Sequence, residues 1–151
     1  MRIISGIHKG RKISPPNNLP VRPTTDKAKE ALFNILDNRY FFEEKNMLDL
    51  FSGTGNIGFE FMSRGGKEVI AVDNNINCLQ FIKSTSEKFN FNIRTIQSNC
   101  LNFVDNSKEK FNFIFADPPY EYQQYMQLKD RIKKNRLLKK DGLLIIEHND
   151  R

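Results

Sequence analysis

Four consecutive residues, Asp117-Pro118-Pro119-Tyr120, follow an apolar run and combine a carboxylate, two prolines and an aromatic ring. Adjacent prolines fix φ and carry no N–H, so such a turn is stiff and its carbonyls are free to accept. The Asp117 carboxylate and the Pro118 carbonyl are then two acceptors on one frame, spaced to hold both N–H bonds of an exocyclic base amine. An amine of that kind is a poor nucleophile, because its lone pair is delocalised into the ring. Its reaction with an electrophilic carbon needs aim rather than a strong base. Tyr120 offers a face on which the base can stack, worth roughly 1–3 kcal/mol.

A second group, Asp49-Leu-Phe-Ser-Gly-Thr-Gly-Asn-Ile-Gly58, places Gly53, Gly55 and Gly58 where a strand turns into a helix. Glycine allows the sharp bend and the close approach of a ligand, and the opening N–H groups of the helix suit an anion. Asp73 ends the next apolar run, where a carboxylate can accept both hydroxyls of a ribose. This spacing serves a dinucleotide as well as S-adenosylmethionine (AdoMet). Asp49 favours AdoMet, since it can face the methionine ammonium, a group that NAD lacks. No Ser-His-Asp arrangement is evident, and His8 and His148 read as peripheral surface residues. Cys78 and Cys100 have no zinc-ligand spacing and are expected to be reduced thiols, with no metal.

These residues need a scaffold that brings them to one rim, and the pattern supplies one. Residues 2–5 and 10–13 read as a short basic hairpin turning near Gly6 and Gly10. Pro15, Pro16 and Pro20 break regular structure. Thr24, Thr25 and Asp26 cap a helix to about Asn38, with Ala28, Ala31, Leu32, Ile35 and Leu36 as its expected buried stripe. Strands are expected at 46–51, 68–73, 92–98, 111–116 and 142–147. Helices are expected at 56–64, 76–90 (Leu79, Ile82 and Phe89 inward), 100–106 and 122–138. Alternation of this kind predicts an α/β fold, a mostly parallel sheet with helices on both faces. Ligands of such sheets bind beyond the carboxyl ends of the strands, which is where both motifs stand.

The 151 residues suit a single domain, and no apolar run approaches a membrane span. The N-terminus lacks the layout of a secretion signal, so the chain is expected to be cytoplasmic. Residues 1–29 hold seven Lys/Arg (Arg2, Lys9, Arg11, Lys12, Arg22, Lys27, Lys29) against Asp26 alone, a net +6. The other 122 residues balance, seventeen bases against seventeen acids. Charge gathered at one end is the expected footprint of a polyanion.

Taken together, Asp49-Leu-Phe-Ser-Gly-Thr-Gly, Asp73 and Asp117-Pro-Pro-Tyr resemble the class I AdoMet-dependent amino-methyltransferases. Arg2-Ile-Ile-Ser-Gly, Lys9-Gly-Arg-Lys and Arg22-Pro-Thr-Thr-Asp-Lys-Ala-Lys-Glu-Ala-Leu-Phe-Asn are similar to the RsmD family of 16S ribosomal RNA guanine-N2 methyltransferases. That resemblance covers essentially the whole chain. It implies a Rossmann-like fold, with residues 1–23 as an RNA-contact segment and 24–151 as the methyltransferase domain. It also implies methyl transfer to the 2-amino group of guanine 966 in 16S RNA, within an assembling small subunit. Asp49, Ser52, Gly53, Gly55 and Asp73 would contact AdoMet, with Asn99 and Cys100 flanking its adenine. Asp117, Pro118, Pro119 and Tyr120 would hold the target base. Arg2, Lys9, Arg11, Lys12 and Arg22 would grip RNA, with Arg22, Thr24 and Asp26 near the cofactor mouth.

The chain departs from that family in two places. Related enzymes carry an acid where Asn99 stands, and the Asn99 carbonyl is expected to accept from the adenine amine in its stead. The family also continues into a terminal antiparallel hairpin of at least about 15–20 residues. Without it, strand 142–147 is expected to be a bare apolar edge, in a shortened enzyme whose edge a partner covers or in a truncated product. Competing readings are a DNA or protein amino-methyltransferase, an RNA-binding assembly factor without turnover, and a dehydrogenase. The basic hairpin and the want of a target-recognition domain weigh against DNA, and Asp117-Pro-Pro-Tyr against a dehydrogenase.

Overall fold

The computed structural model describes residues 1–21, 24–119 and 122–147. Arg22, Tyr120 and His148, singled out above, lie outside the described residues. Five strands, β1 (Asn46–Leu50), β2 (Glu68–Asp73), β3 (Ile93–Gln97), β4 (Phe111–Ala116) and β5 (Leu138–Ile146), form one sheet in the order β3-β2-β1-β4-β5. Every pairing is parallel. Helices α1 (Asp26–Arg39), α2 (Asn56–Ser63) and α3 (Ile76–Phe89) cover one face, and α4 (Cys100–Asn106) and α5 (Tyr125–Lys134) the other. The α/β reading and the parallel sheet hold.

Double coverage explains the apolar strands. In β1, Leu48 and Leu50 pack with Leu101, Val104, Leu128 and Ile132 under α4 and α5. Met47 joins Phe33, Leu36 and Phe61 on the other face. Strand order reverses between β1 and β4, so the loops after these two strands diverge and leave a crevice at the carboxyl end.

The hairpin is present as one antiparallel bridge, Arg2 to Lys12, rather than as two strands. Ile3 and Ile13 are buried against α2 and α3. Its tip is clamped onto the end of α2: Ile7 N–H donates to the Ser63 carbonyl at 2.9 Å and His8 N–H to Ser63 Oγ at 3.1 Å. Gly6 is obligatory there. Its φ is 92°, and a Cβ would lie 1.9 Å from the Ser63 carbonyl oxygen. His8 is half-buried, not peripheral, with its ring against Phe89 and Phe91 and Nε2 3.2 Å from the Phe89 carbonyl.

Three expectations about helices and strands need correction. The stripe of α1 is rotated: Lys29, Phe33 and Leu36 are buried, Ala28 and Ala31 are exposed, and Ile35 is 57% exposed. A buried lysine replaced an alanine in the stripe because Lys29 has polar partners. Its Nζ donates to the Arg2 carbonyl (2.6 Å) and Asn56 Oδ1 (2.7 Å), and lies 3.3 Å from Glu60 Oε1. Lys29 is therefore lost to any polyanion surface. Helix α5 stops at Lys134, short of 138, and β5 begins at Leu138 instead of 142. The left-handed Arg136 (φ 53°) ends the helix, and buried Leu137 draws the chain back, its carbonyl accepting Phe111 N–H at 2.7 Å. β5 is the last strand in the order, with Leu143 to Ile146 half-buried.

Candidate functional site

A cavity of about 330 Å³ opens at the carboxyl end of the sheet. The turn after β1 contributes Phe51 to Thr54, and the end of β2 contributes Asp73 with Asn74 and Asn75. Ser98 to Cys100 follow β3; Phe115, Asp117, Pro118, Pro119 and Tyr122 come from β4 and the loop beyond it. The glycine turn and the proline turn thus line one cleft. Residues 20, 21 and 24, ahead of α1, close another side.

The turn after β1 is built from left-handed residues, Phe51 (φ 56°), Gly53 (54°) and Gly55 (84°). Gly55 caps α2 and is absent from the cavity lining; a Cβ on it would meet Ile82 and Phe59 in the core at 2.9 and 3.1 Å. Its glycine serves conformation and packing. Gly58 lets α2 lie close to β2, with a Cβ position 3.2 Å from Val69 and 3.6 Å from Asp49 Oδ2. The acidic group at the start of α2 is this Asp49 carboxyl, which accepts from the Gly58 N–H.

Asp49 is 2% exposed, and burial, followed by the charges of Asp73 and Asp117, pushes its carboxyl up to about 8. Such a group is short of a cation. Asp73 is pinned by two backbone donors, Gly53 N–H to Oδ2 and Asn75 N–H to Oδ1, each 2.9 Å. Each oxygen keeps a lone pair for a further donor. Ser52 Oγ is buried without a hydrogen-bond partner among the described residues. Three carboxylates, an unsatisfied hydroxyl and an apolar floor together fit a cationic ligand that also carries hydroxyls. AdoMet is such a group.

Asn99 behaves differently from expectation. Its Oδ1 caps α4, accepting from Leu101 N–H (2.9 Å) and Asn102 N–H (3.2 Å). The oxygen is used up, and only the amide Nδ2, a donor, is left to face a ligand. Cys100 is buried, and desolvation drives its thiol up to about 12; burial likewise lifts Cys78, which also lines the cavity, to about 11. Both are neutral thiols that shape the wall. Among the described residues no cluster of His, Cys, Asp or Glu is arranged to hold a metal.

At the proline turn the two carbonyls differ. Pro119 accepts Tyr122 N–H at 3.0 Å, while Pro118 accepts nothing among the described residues. Tyr122, missed in the sequence, lines the cleft with its ring 4.9 Å from that of Phe51, edge to face. Its only signal was a second aromatic two places beyond Tyr120. Asn56 was missed too; its Nδ2 donates to the Thr24 carbonyl at 3.1 Å, joining α2 to the segment before α1. Thr24 itself lines the cavity, as expected of a residue near its mouth. Arg2, Lys9, Arg11 and Lys12 are all exposed, Arg11 lying over the Phe89 ring at 4.6 Å.

Comparison with known proteins places the chain in a family. The family described as conserved hypothetical protein 95 matches residues 1–151. A Bacillus subtilis protein assigned as an rRNA methyltransferase, YlbH, is 34% identical over 99% of this chain and 83% of its own length. Ribosomal RNA small subunit methyltransferase D of Haemophilus influenzae is 32% identical, covering 97% of this chain and 78% of itself. The solved structure of yhhF from Escherichia coli, assigned as a methyltransferase, superposes with a TM-score of 0.89 at 28% identity, over 100% of this chain and 82% of that one. The sheet is accordingly of the Rossmann-like class I methyltransferase type.

Proposed function

The chain belongs to the conserved hypothetical protein 95 family, the RsmD family of rRNA methyltransferases, and from that membership we propose that it methylates the exocyclic 2-amino group of a guanine in small-subunit ribosomal RNA. The observation that carries the reading is that Asp117, Pro118 and Pro119 line the same cleft as Asp49, Gly53 and Asp73. A donor pocket and an amine-holding turn then share one opening.

Asp49, Ser52, Gly53 and Asp73 would hold AdoMet, Asp49 at the methionine ammonium and Asp73 at the ribose. Bound there, AdoMet supplies an electrophilic sulfonium methyl. The chain's own part is orientation. The Asp117 carboxylate and the Pro118 carbonyl accept the two amine protons and turn the nitrogen lone pair toward the cofactor, for in-line transfer over about 3–3.5 Å. The nitrogen gains the methyl first and loses a proton afterwards, so no strong base is required. Tyr120, by its place in the motif, and Tyr122, which lines the cleft, would stack the base. Arg2, Lys9, Arg11, Lys12 and Arg22 would bind RNA phosphates, with residues 1–23 as the RNA-contact segment.

Labelled AdoMet tests this directly. Label should enter 16S RNA or small-subunit particles, be recovered as N2-methylguanosine after digestion, and disappear in Asp117→Ala with S-adenosylhomocysteine binding retained. Undiminished label in that variant would refute the assignment of Asp117; recovery as N6-methyladenosine would replace the base.

A further inference from the structure

Bases and acids outside residues 1–29 are equal in number, yet they are unevenly spread. Residues 129–140 hold seven Lys/Arg against the single acid Asp130, a net +6 in twelve residues, as large as the excess of the N-terminal segment. The fold turns this run into a corner. Leu128 and Ile132 face the core, so the charges of α5 face outward. Arg131 is paired with Asp105. Lys133, Lys134, Arg136, Lys139 and Lys140 are exposed and form no ion pair among the described residues. The reversal at Arg136 and the irregular register between Phe111 and Phe113 fold the end of α5 and the start of β5 against the beginning of β4. Exposed Lys110, just before Phe111, joins the same corner.

Cations in the last turn of a helix offset its dipole, which accounts for Lys133 and Lys134. It does not account for Arg136, Lys139 and Lys140, which lie past the helix. Exposed Asp141 follows Lys140 in the chain but pairs with none of them among the described residues. Nor is the corner an extension of the hairpin surface. Helix α5 covers the sheet face opposite α1, α2, α3 and the hairpin. The corner also sits where strands begin, whereas the cleft lies where they end, roughly 20 Å away at about 3.3 Å per residue along β4.

We infer that this corner is a second contact for RNA backbone, gripping a segment of the substrate other than the one that carries the target base; this rests on the RNA reading above. Phosphate spacing tolerates a cluster of flexible lysines without any base readout, so the contact adds affinity and not sequence choice. A folded RNA presenting two segments to opposite faces of the sheet is the substrate it fits.

The test compares salt dependence of binding for the parent, for Lys133→Gln/Lys134→Gln/Lys139→Gln/Lys140→Gln, and for Arg2→Gln/Lys9→Gln/Arg11→Gln/Lys12→Gln. Each is titrated with full-length 16S RNA and with a short guanine-bearing stem-loop, with S-adenosylhomocysteine affinity as the folding control. Losing four phosphate contacts should flatten the slope of log affinity against log salt by about 3. The corner variant should show this with 16S RNA, keep the parental slope with the stem-loop, and bind S-adenosylhomocysteine as the parent does. A parental slope with 16S RNA overturns the inference, and an equal loss with the stem-loop overturns the separate segment. If the hairpin variant also leaves both slopes unchanged, the RNA reading itself falls; if only the hairpin variant responds, the corner alone does.

Discussion

The backbone N–H of Gly53 donates to Asp73 Oδ2 at 2.9 Å, tying the bend after β1 to the end of β2. The same carboxylate takes Asn75 N–H on its other oxygen. One acidic side chain thereby links the two loops that line the middle of the cleft.

Asp73→Ala should weaken S-adenosylhomocysteine binding by about 10–100-fold, the roughly 1.5–3 kcal/mol expected of hydrogen bonds to a charged acceptor. Calorimetry on a variant with parental circular dichroism measures it. An affinity within twofold of the parent would remove Asp73 from the pocket.

Asp49 carries an ordinary value of 3.8 up to about 8 in the folded chain. Between those limits the folded, unliganded protein holds a proton that the unfolded chain releases, so its stability falls as pH rises through that window. Asp49→Asn should therefore gain in Tm relative to the parent between pH 5 and pH 8. Ligand binding has the opposite sense. An ammonium beside the carboxylate expels the proton, so S-adenosylhomocysteine affinity should climb with pH, by up to about tenfold per unit below pH 8. A flat profile from pH 6 to 8 would contradict the pairing of Asp49 with the ammonium.

Asn99→Asp should tighten S-adenosylhomocysteine binding several-fold. One carboxylate oxygen would keep the cap on α4 that Oδ1 now makes. The other would offer the adenine amine an acceptor, worth about 0.5–1.5 kcal/mol. An acid at the start of α4 also suits the helix dipole, so thermal stability should not drop. Weaker binding by this variant than by the parent in calorimetry would mean that the present amide already donates to a ring nitrogen.

Glu60 is fully buried and binds Ile4 N–H (2.9 Å), Ser5 N–H (3.1 Å), Lys29 and Arg64 together. Glu60→Ala strands the buried Lys29 charge and should cost about 3–5 kcal/mol in urea unfolding. It should also free the hairpin, so that trypsin cuts after Lys12 faster than in the parent. Gly6→Ala should produce the same faster cleavage at a smaller stability cost, since only the tip at Ser63 is displaced. Parental cleavage rates in both variants would show that the hairpin is held by Ile3 and Ile13 alone.

The alternation of apolar runs with helical patterns was enough to determine the order of elements, the parallel sheet, and the two turns at its carboxyl rim. Those features follow from local periodicity and from glycine and proline stereochemistry, which act over a few residues. Their agreement explains why Asp49, Gly53, Asp73 and Asp117, far apart in sequence, line one cleft. What tertiary structure alone decided is how individual side chains spend their polar groups. Lys29 looked like a surface charge, and burial with Glu60 and Asn56 made it part of the core. Asn99 looked like an adenine acceptor, and two helix N–H groups claimed its oxygen. Gly55 looked like a ligand contact, and Ile82 and Phe59 filled the space beside it. The exposed bases of the hairpin, Arg2, Lys9, Arg11 and Lys12, and those at the end of α5 came to lie on opposite faces, because the crossovers put α3 and α5 on different sides of the sheet. Contacts between residues far apart in sequence settle such matters, and neither spacing nor composition encodes them locally.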